Sequence, residues 1–188
     1  MNPLFEAARE LQTVCEGQAW QFCFIGGVAV QRWGQPRFTA DADLTLITGF
    51  GREESFVDHL LLHFRPRRPD AVQFALRNRV LLIENSAGIP LDVALGAIAF
   101  EIATARRATP FVFPTGHSLL TCSAEDLIVH KCFAGRDQDW LDVGTVLARQ
   151  QGKLDLELIR RELKPLAELK EAPEIVDRLE GMIAKWHR

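Results

Sequence analysis

The fold is decided by the stretch FIGGVAVQRWGQPRFTADADLTL, residues 24–46. Its first residues end an apolar run that predicts a buried strand, which Gly26 and Gly27 then stop. Residues 28–33 predict a short helix, closed by a glycine and a proline, and residues 39–47 predict a second strand. Strand, glycine turn, helix and strand therefore follow one another within a short segment.

Two carboxylates share one face of the second predicted strand. Asp41 and Asp43 are two residues apart, so their side chains point to the same side of a sheet. The alternate positions, which include Ala42 and Leu44, are apolar and predict a packed opposite face. Adjacent carboxylates repel each other, and a divalent cation relieves that repulsion by neutralising both. The pattern therefore favours a metal site.

A third aspartate lies in a later apolar run, IPLDVAL at residues 89–95. Asp92 is flanked there by leucine and valine, and a carboxylate in such surroundings is costly unless it is paired or bound to a metal. If this strand lies beside residues 39–47, the three carboxylates converge. Magnesium prefers oxygen ligands of this kind, and two such ions can activate an attacking oxygen and stabilise a leaving one.

The glycine pair predicts a phosphate site. A strand that turns through Gly26 and Gly27 into a helix exposes backbone N–H groups at the helix N-terminus, where anions bind. Glycines also allow a close backbone approach that a Cβ would block. A Gly-Gly pair is common in turns, so its weight comes from the D-x-D motif that follows it.

The remaining patterns predict an α+β fold, with a mixed sheet and helices followed by a helical C-terminal region. We expect a core over residues 1–121 and a helical region over 122–188 that packs on the core. Further helices are predicted at 3–16, 53–64, 97–107, 123–135, 138–150, 155–170 and 174–187, and further strands at 79–85, 89–95, 110–114 and 117–121. Two prolines predict a loop at residues 65–70.

Composition excludes several classes of protein. Hydrophobic residues make up 47% of the 188 residues, and the formal net charge of −3 does not indicate a general polyanion-binding protein. We therefore expect no DNA sequence recognition. The N-terminus lacks a signal-peptide pattern, and the apolar runs are too short to span a bilayer. The four cysteines have no C-x-x-C spacing and predict buried, reduced thiols in a cytoplasmic protein.

The quoted stretch resembles the nucleotidyltransferase superfamily, which has the DNA polymerase β-like fold. The R-x-T-x-D-x-D form, with Arg37 and Thr39 ahead of the two aspartates, looks most like the AbiEii/AbiGii-type enzymes. A second block, SAEDLIVHKCFAGRDQDWLDVGTVL, resembles their second motif, with Lys131, Asp139 and Asp142 at the matching positions. The resemblance covers roughly residues 20–147.

The resemblance implies an enzyme that moves a nucleoside monophosphate from an NTP to an acceptor hydroxyl with Mg²⁺ or Mn²⁺. The acceptor would be an RNA end, a protein or a small molecule, and some relatives are toxins with an antitoxin partner. The aspartates 41, 43 and 92 would be the metal ligands and catalytic groups. The residues implied for binding the nucleotide are Gly26, Gly27, Arg37, Thr39 and Lys131. The alternatives are an inactive module that binds nucleotide or a partner, and a metal-dependent phosphohydrolase.

Other charged residues have more than one interpretation each. The arginines at 65, 67, 68, 77 and 79 are typical of a solvated face, and alternatively of a patch for RNA phosphates. Lys131 would be a snorkelling lysine or a cation facing the triphosphate. Asp139 and Asp142 share one helix face and would be acidic ligands, helix-start charges or partners of Lys131 and Arg136.

Overall fold

The computed structural model describes residues 2–186, which divide into two compact units. The sheet unit comprises the chain up to Val28 together with Phe38–Cys122. The helical unit comprises Ala29–Arg37 together with the chain from Ser123 onward. Residues 29–37 thus group with the C-terminal helices.

The sheet unit contains a seven-stranded mixed sheet with the order β3-β4-β5-β2-β1-β7-β6. Its strands are β1 (Phe22–Phe24), β2 (Ala42–Ile47), β3 (Arg65–Pro66), β4 (Val80–Glu84), β5 (Pro90–Gly96), β6 (Thr109–Val112) and β7 (Ser118–Thr121). Its helices are α1 (Pro3–Gly17), α3 (Glu53–Leu61), α4 (Ala71–Asn78) and α5 (Ala99–Arg107), and the first residues of α2 (Gly26–Trp33) also belong to it.

Strand pairing in the centre of the sheet fixes which residues lie side by side. β2 runs parallel to β5, and the register sets Asp43 opposite Asp92 and Leu44 opposite Val93. Leu44 and Val93 are fully buried in the core, whereas the two aspartates lie on the other, more exposed face. This alternation follows from the period-two pattern of the sequence. Truncating a buried residue such as Leu44 to alanine would cost about 2–5 kcal/mol.

The helical unit contains α6 (Ala124–Ala134), α7 (Asp137–Arg149), α8 (Leu156–Leu169) and α9 (Glu174–Trp186). The Ser123 hydroxyl caps α6 by accepting a 3.1 Å hydrogen bond from the backbone N–H of Asp126. Gly135 ends α6 at a φ of 75°, in the left-handed region that glycine adopts without strain. The apolar faces of these helices supply a core that includes Leu127 and Val143, both fully buried.

The predicted α+β class, with a mixed sheet followed by a helical C-terminal region, is confirmed. The four cysteines are free and buried, as expected. None of the helices within residues 2–186 has the length and apolar character needed to cross a bilayer. His187, where the predicted last helix would end, lies outside the described residues.

Several elements differ from the predictions, among them β2, β3 and α4. The strand predicted from residue 39 begins at Ala42, so Asp41 lies just before β2. The predicted loop at 65–70 was wrong at its start, because Arg65 and Pro66 pair with β4 as an edge strand, where proline is tolerated. Helix α4 was missed, since it has eight residues and its C-terminal cap is Arg79, with a φ of 55°, instead of a glycine.

Candidate metal centre

Three carboxylates converge on the exposed face of the sheet. Asp41, Asp43 and Asp92 each offer one oxygen, and these oxygens all lie within 4.8 Å of one another. The parallel register of β2 and β5 brings Asp43 and Asp92 together. Asp41 lies two residues before Asp43 in the chain. We call these residues the carboxylate triad. The structure thus brings together the three aspartates that the sequence singles out.

Thr39 holds the first member of the triad. Its hydroxyl lies 3.2 Å from Oδ1 of Asp41 and 3.3 Å from the Asp41 backbone oxygen, so it donates to this residue. Asp41 precedes β2 and is not fixed by the strand ladder, which makes a local hydrogen bond the means of orienting its carboxylate. Thr39 therefore contributes to the site by positioning a candidate ligand.

The glycine pair is packed directly against the triad. A Cβ on Gly26 would lie 1.9 Å from Oδ2 of Asp43, and Gly26 has a φ of 54°, which L side chains rarely adopt. A Cβ on Gly27 would lie 2.4 Å from the hydroxyl oxygen of Thr39. Residues of the site therefore leave no room for a side chain at either position. This steric requirement is a second reason for the glycines, besides the predicted exposure of N–H groups at the start of α2.

Electrostatics at the triad favour a bound cation. Burial raises the pKa of the Asp92 carboxyl above its usual value; Arg67 opposes this shift, and the charge of Asp41 adds to it. A carboxylate whose charged form is disfavoured by burial and by a like charge gains from a nearby positive ion. Closely spaced, half-buried carboxylate oxygens suit the hard divalent cations Mg²⁺ and Mn²⁺. The residues present therefore fit the metal that the resemblance implies.

Arg67 is a residue of the site that the sequence analysis named only as part of a solvated face or an RNA-phosphate patch. Its Nη1 lies 2.8 Å from Oδ1 of Asp92 and donates to it, and both side chains are about a quarter exposed. The predicted loop at 65–70 concealed this contact, because a loop gives no register with Asp92. The sequence would have indicated the contact of Arg67 with Asp92 only if β3 had been recognised as a strand that pairs with β4.

Lys131 lies in the helical unit and is engaged there by two carboxylates. Its Nζ lies 2.8 Å from Oδ1 of Asp139 and 2.9 Å from Oδ2 of Asp142, and the residue is only 6% exposed. Of the interpretations left open by the sequence, these contacts favour Asp139 and Asp142 as partners of Lys131. A contact of Lys131 with a triphosphate stays a prediction.

Arg37 joins the same group of charges. Its guanidinium donates to both oxygens of Asp142 at 2.8 Å, and Gln138 donates to Oδ1 of Asp142 at 3.0 Å. Burial alone would raise the pKa of the Asp142 carboxyl, but the hydrogen bonds from Arg37 and Lys131 outweigh it and lower that pKa to about 2. Arg37, Lys131, Asp139 and Asp142 together form what we call the ionic cluster of the helical unit.

Four of the five arginines at 65, 67, 68, 77 and 79 are paired with acids of the sheet unit. Besides Arg67, these pairs are Arg65 with Glu84, Arg68 with Asp70, and Arg79 with Glu53. Because these guanidinium groups have local carboxylate partners, the contacts favour a solvated face over a patch for RNA phosphates.

No family model and no curated protein matches the chain. Among solved structures, an antigenic nucleotidyltransferase-like protein from Paracoccidioides brasiliensis matches 93% of this chain with 94% of its own, at a TM-score of 0.44 and 16% identity. The structure of ANT(2'')-Ia in complex with adenylyl-2''-tobramycin matches 95% of this chain with 95% of its own, at a TM-score of 0.48 and 15% identity. The structure of a lincomycin-bound lincosamide antibiotic adenylyltransferase matches 73% of this chain with 94% of its own, at a TM-score of 0.45 and 12% identity. With TM-scores below 0.5 and identities of 16% or less, these matches do not assign a chemistry to the chain.

Proposed function

We propose that the chain is a metal-dependent nucleotidyltransferase that moves a nucleoside monophosphate from an NTP to an acceptor hydroxyl and releases pyrophosphate. The observation that carries the proposal is the convergence of the triad, whose ligand oxygens lie within 4.8 Å of one another. The close packing of Gly26 against Asp43 supports it, since that approach leaves no room for a side chain. The motif resemblance to the superfamily gives the reaction class.

Each member of the triad has a role in this proposal. Asp41 and Asp43 hold the metals, and Asp92 completes the site on the acceptor side and accepts the proton of the acceptor hydroxyl. Mg²⁺ or Mn²⁺ bound here supplies charge neutralisation on the phosphates and lowers the pKa of the attacking hydroxyl. Thr39 keeps the Asp41 carboxylate oriented through its 3.2 Å hydrogen bond. Catalysis would thus consist of positioning and electrostatic stabilisation.

The glycine pair would hold the β- and γ-phosphates of the NTP. The first N–H groups of a helix have no partner within the helix, and α2 begins at Gly26. For Arg37 and Lys131, which the resemblance assigns to the nucleotide, we propose a structural role in addition. The contacts of both residues with Asp142 support that assignment.

Incubation with each α-labelled NTP, Mg²⁺ and separate pools of RNA, protein and small-molecule antibiotics tests the proposal. We expect label in one pool from the wild-type protein and none from a variant carrying Asp41→Asn and Asp43→Asn. Asp58→Asn, an exposed position on α3, is the matched control and should label as the wild type does. Labelling that persists in the double variant would contradict the assignment of the triad.

The same incubation separates the alternatives. Free phosphate without a labelled acceptor would indicate a phosphohydrolase. NTP binding that depends on Mg²⁺ but yields neither product would indicate a binding module that retains the metal site. Isothermal titration of an NTP with and without Mg²⁺ measures that binding directly.

We further propose that the protein is closest to the AbiEii-type enzymes and acts as a toxin with an antitoxin partner. The R-x-T-x-D-x-D form around Asp41 supports this placement. Controlled expression in bacterial cells tests it: growth should stop with the wild type and continue with Asp41→Asn. Equal growth of both strains would contradict a toxin role and leave the transfer reaction untouched.

A further inference from the structure

Arg67, the residue directly after β3, continues a row of residues that crosses β4, β5 and β2. The backbone N–H of Arg67 donates to the carbonyl of Leu82 at 3.0 Å, which continues the pairing of β3 with β4. Leu82 lies opposite Asp92 in the β4–β5 pair, and Asp92 lies opposite Asp43 in the β5–β2 pair. Side chains in one row of a sheet project to the same face. The register therefore aims Arg67 at the triad.

The guanidinium of Arg67 reaches over Leu82 to Asp92, where Nη1 contacts Oδ1 at 2.8 Å. Its neighbours do not: Arg65 pairs with Glu84 and Arg68 pairs with Asp70. Arg67 is also less exposed than either, at 26% against 61% and 41% of the side chain. Its contact with the triad is thus specific to its place in the sheet.

We propose that Arg67 is a built-in counter-cation of the carboxylate triad, which competes with the divalent metal and so sets the metal affinity of the site. This inference rests on the proposed function, because it takes the triad to be the metal site. Arg67 acts here as a positioning residue, since it contacts a ligand of the metal and not the reacting atoms.

The physical reason is competition for the same negative charge. Without metal, the three carboxylates repel one another, and the guanidinium offsets part of that repulsion and keeps Asp92 in place. When a divalent ion binds, the same guanidinium is a like charge a few ångströms away. At that distance, a unit charge changes the affinity for a divalent ion by about tenfold, even when strongly screened by water.

Titration of the protein with Mn²⁺, without nucleotide, tests the inference through the electron paramagnetic resonance signal of the free ion. We expect Arg67→Gln and Arg67→Met to bind Mn²⁺ about tenfold more tightly than the wild type. Arg67→Lys keeps the positive charge and should bind with an affinity close to the wild-type value. Arg65→Gln is the matched control, because its partner lies outside the triad, and it should leave the affinity unchanged.

A second readout is thermal stability. Removing the counter-cation should lower the melting temperature of the metal-free protein and enlarge the rise that saturating Mn²⁺ produces. Arg65→Gln should change neither quantity by as much. A melting temperature of metal-free Arg67→Gln equal to that of the wild type would contradict the proposed neutralising role.

The outcomes separate this inference from the proposed function. If the wild type binds Mn²⁺, the Asp41→Asn, Asp43→Asn variant does not, and Arg67→Gln binds with unchanged affinity, the inference fails and the metal site stands. Weaker binding by Arg67→Met with normal binding by Arg67→Gln would also overturn it, since Arg67 would then orient Asp92 through hydrogen bonding alone. If the wild type binds no Mn²⁺ at the triad, the proposed function itself fails.

Discussion

Arg37 and Asp142 form a two-point ion pair, in which Nε donates to Oδ1 and Nη2 donates to Oδ2, both at 2.8 Å. The Asp142 side chain is only 3% exposed, and its Oδ2 also lies 2.9 Å from Nζ of Lys131. A buried carboxylate with this many charged donors keeps its charge, and its removal leaves cations without their partner. Asp142 is therefore the residue on which the ionic cluster of the helical unit depends.

We expect Asp142→Ala to lower the free energy of unfolding by about 3–5 kcal/mol, because it leaves Lys131 buried without one of its counter-charges. Urea unfolding followed by tryptophan fluorescence measures the effect, since Trp33 and Trp140 both belong to the helical unit. Asp137→Ala is the matched control: it lies in the first turn of the same helix but is exposed. A loss as small as that of the control, about 0.5 kcal/mol, would mean that the cluster adds little to stability.

The stability contributed by Asp142 should depend on pH in the acid range. Its pKa is about 2 in the folded chain against an ordinary value of 3.8, so the stabilisation is complete above about pH 5 and is lost as the pH falls towards 2. The shift corresponds to about 2 kcal/mol. Urea unfolding at pH 5 and pH 2.5 should therefore show a difference between the wild type and Asp142→Asn that shrinks at the lower pH. A constant difference would contradict a depressed pKa.

Local sequence patterns were sufficient to predict the triad. The D-x-D spacing places Asp41 and Asp43 on one face, and a lone aspartate in an apolar strand needs a partner, which identified Asp92. The prediction required only that two central strands be neighbours, and β2 and β5 do pair in parallel. Asp43 and Asp92 each alternate with buried apolar neighbours, and this period of two indicates which side chains share the face opposite the core.

Arg67 could not be predicted, because its role depends on a two-residue edge strand. The prolines near it predict a loop, and nothing local to the sequence sets the register of β3 against β4. The sequence did offer Asp139 and Asp142 as partners of Lys131, but it could not choose this interpretation over the others, because the pairing depends on how α6 and α7 pack. Long-range pairings of charged side chains depend on tertiary contacts, which sequence periodicity does not encode.

Gly26→Ala should disrupt the site and the fold together. Its Cβ would meet Oδ2 of Asp43 at 1.9 Å, and its φ of 54° strains any L side chain. We expect a loss of about 2–4 kcal/mol in stability and weaker Mn²⁺ binding, because Asp43 must move. Gly51→Ala is the control: its φ is 79°, but a Cβ there meets nothing within 4 Å, so it should cost only about 1 kcal/mol. Equal effects of the two variants would show that backbone strain alone explains the glycine at position 26.

Asp41→Asn should separate stability from metal binding. The amide keeps an oxygen that can accept from Thr39, but it removes one of three repelling charges. We therefore expect the metal-free protein to be as stable as the wild type, or more stable by about 0.5 kcal/mol. The wild type should gain about 2.7 kcal/mol from Mn²⁺ at one hundred times its Kd, and the variant should lose most of that gain. Thermal unfolding with and without Mn²⁺ measures both quantities. If the metal-free variant is clearly less stable than the wild type, Asp41 stabilises the fold. If Mn²⁺ stabilises the variant as much as it stabilises the wild type, Asp41 is not a ligand of the metal.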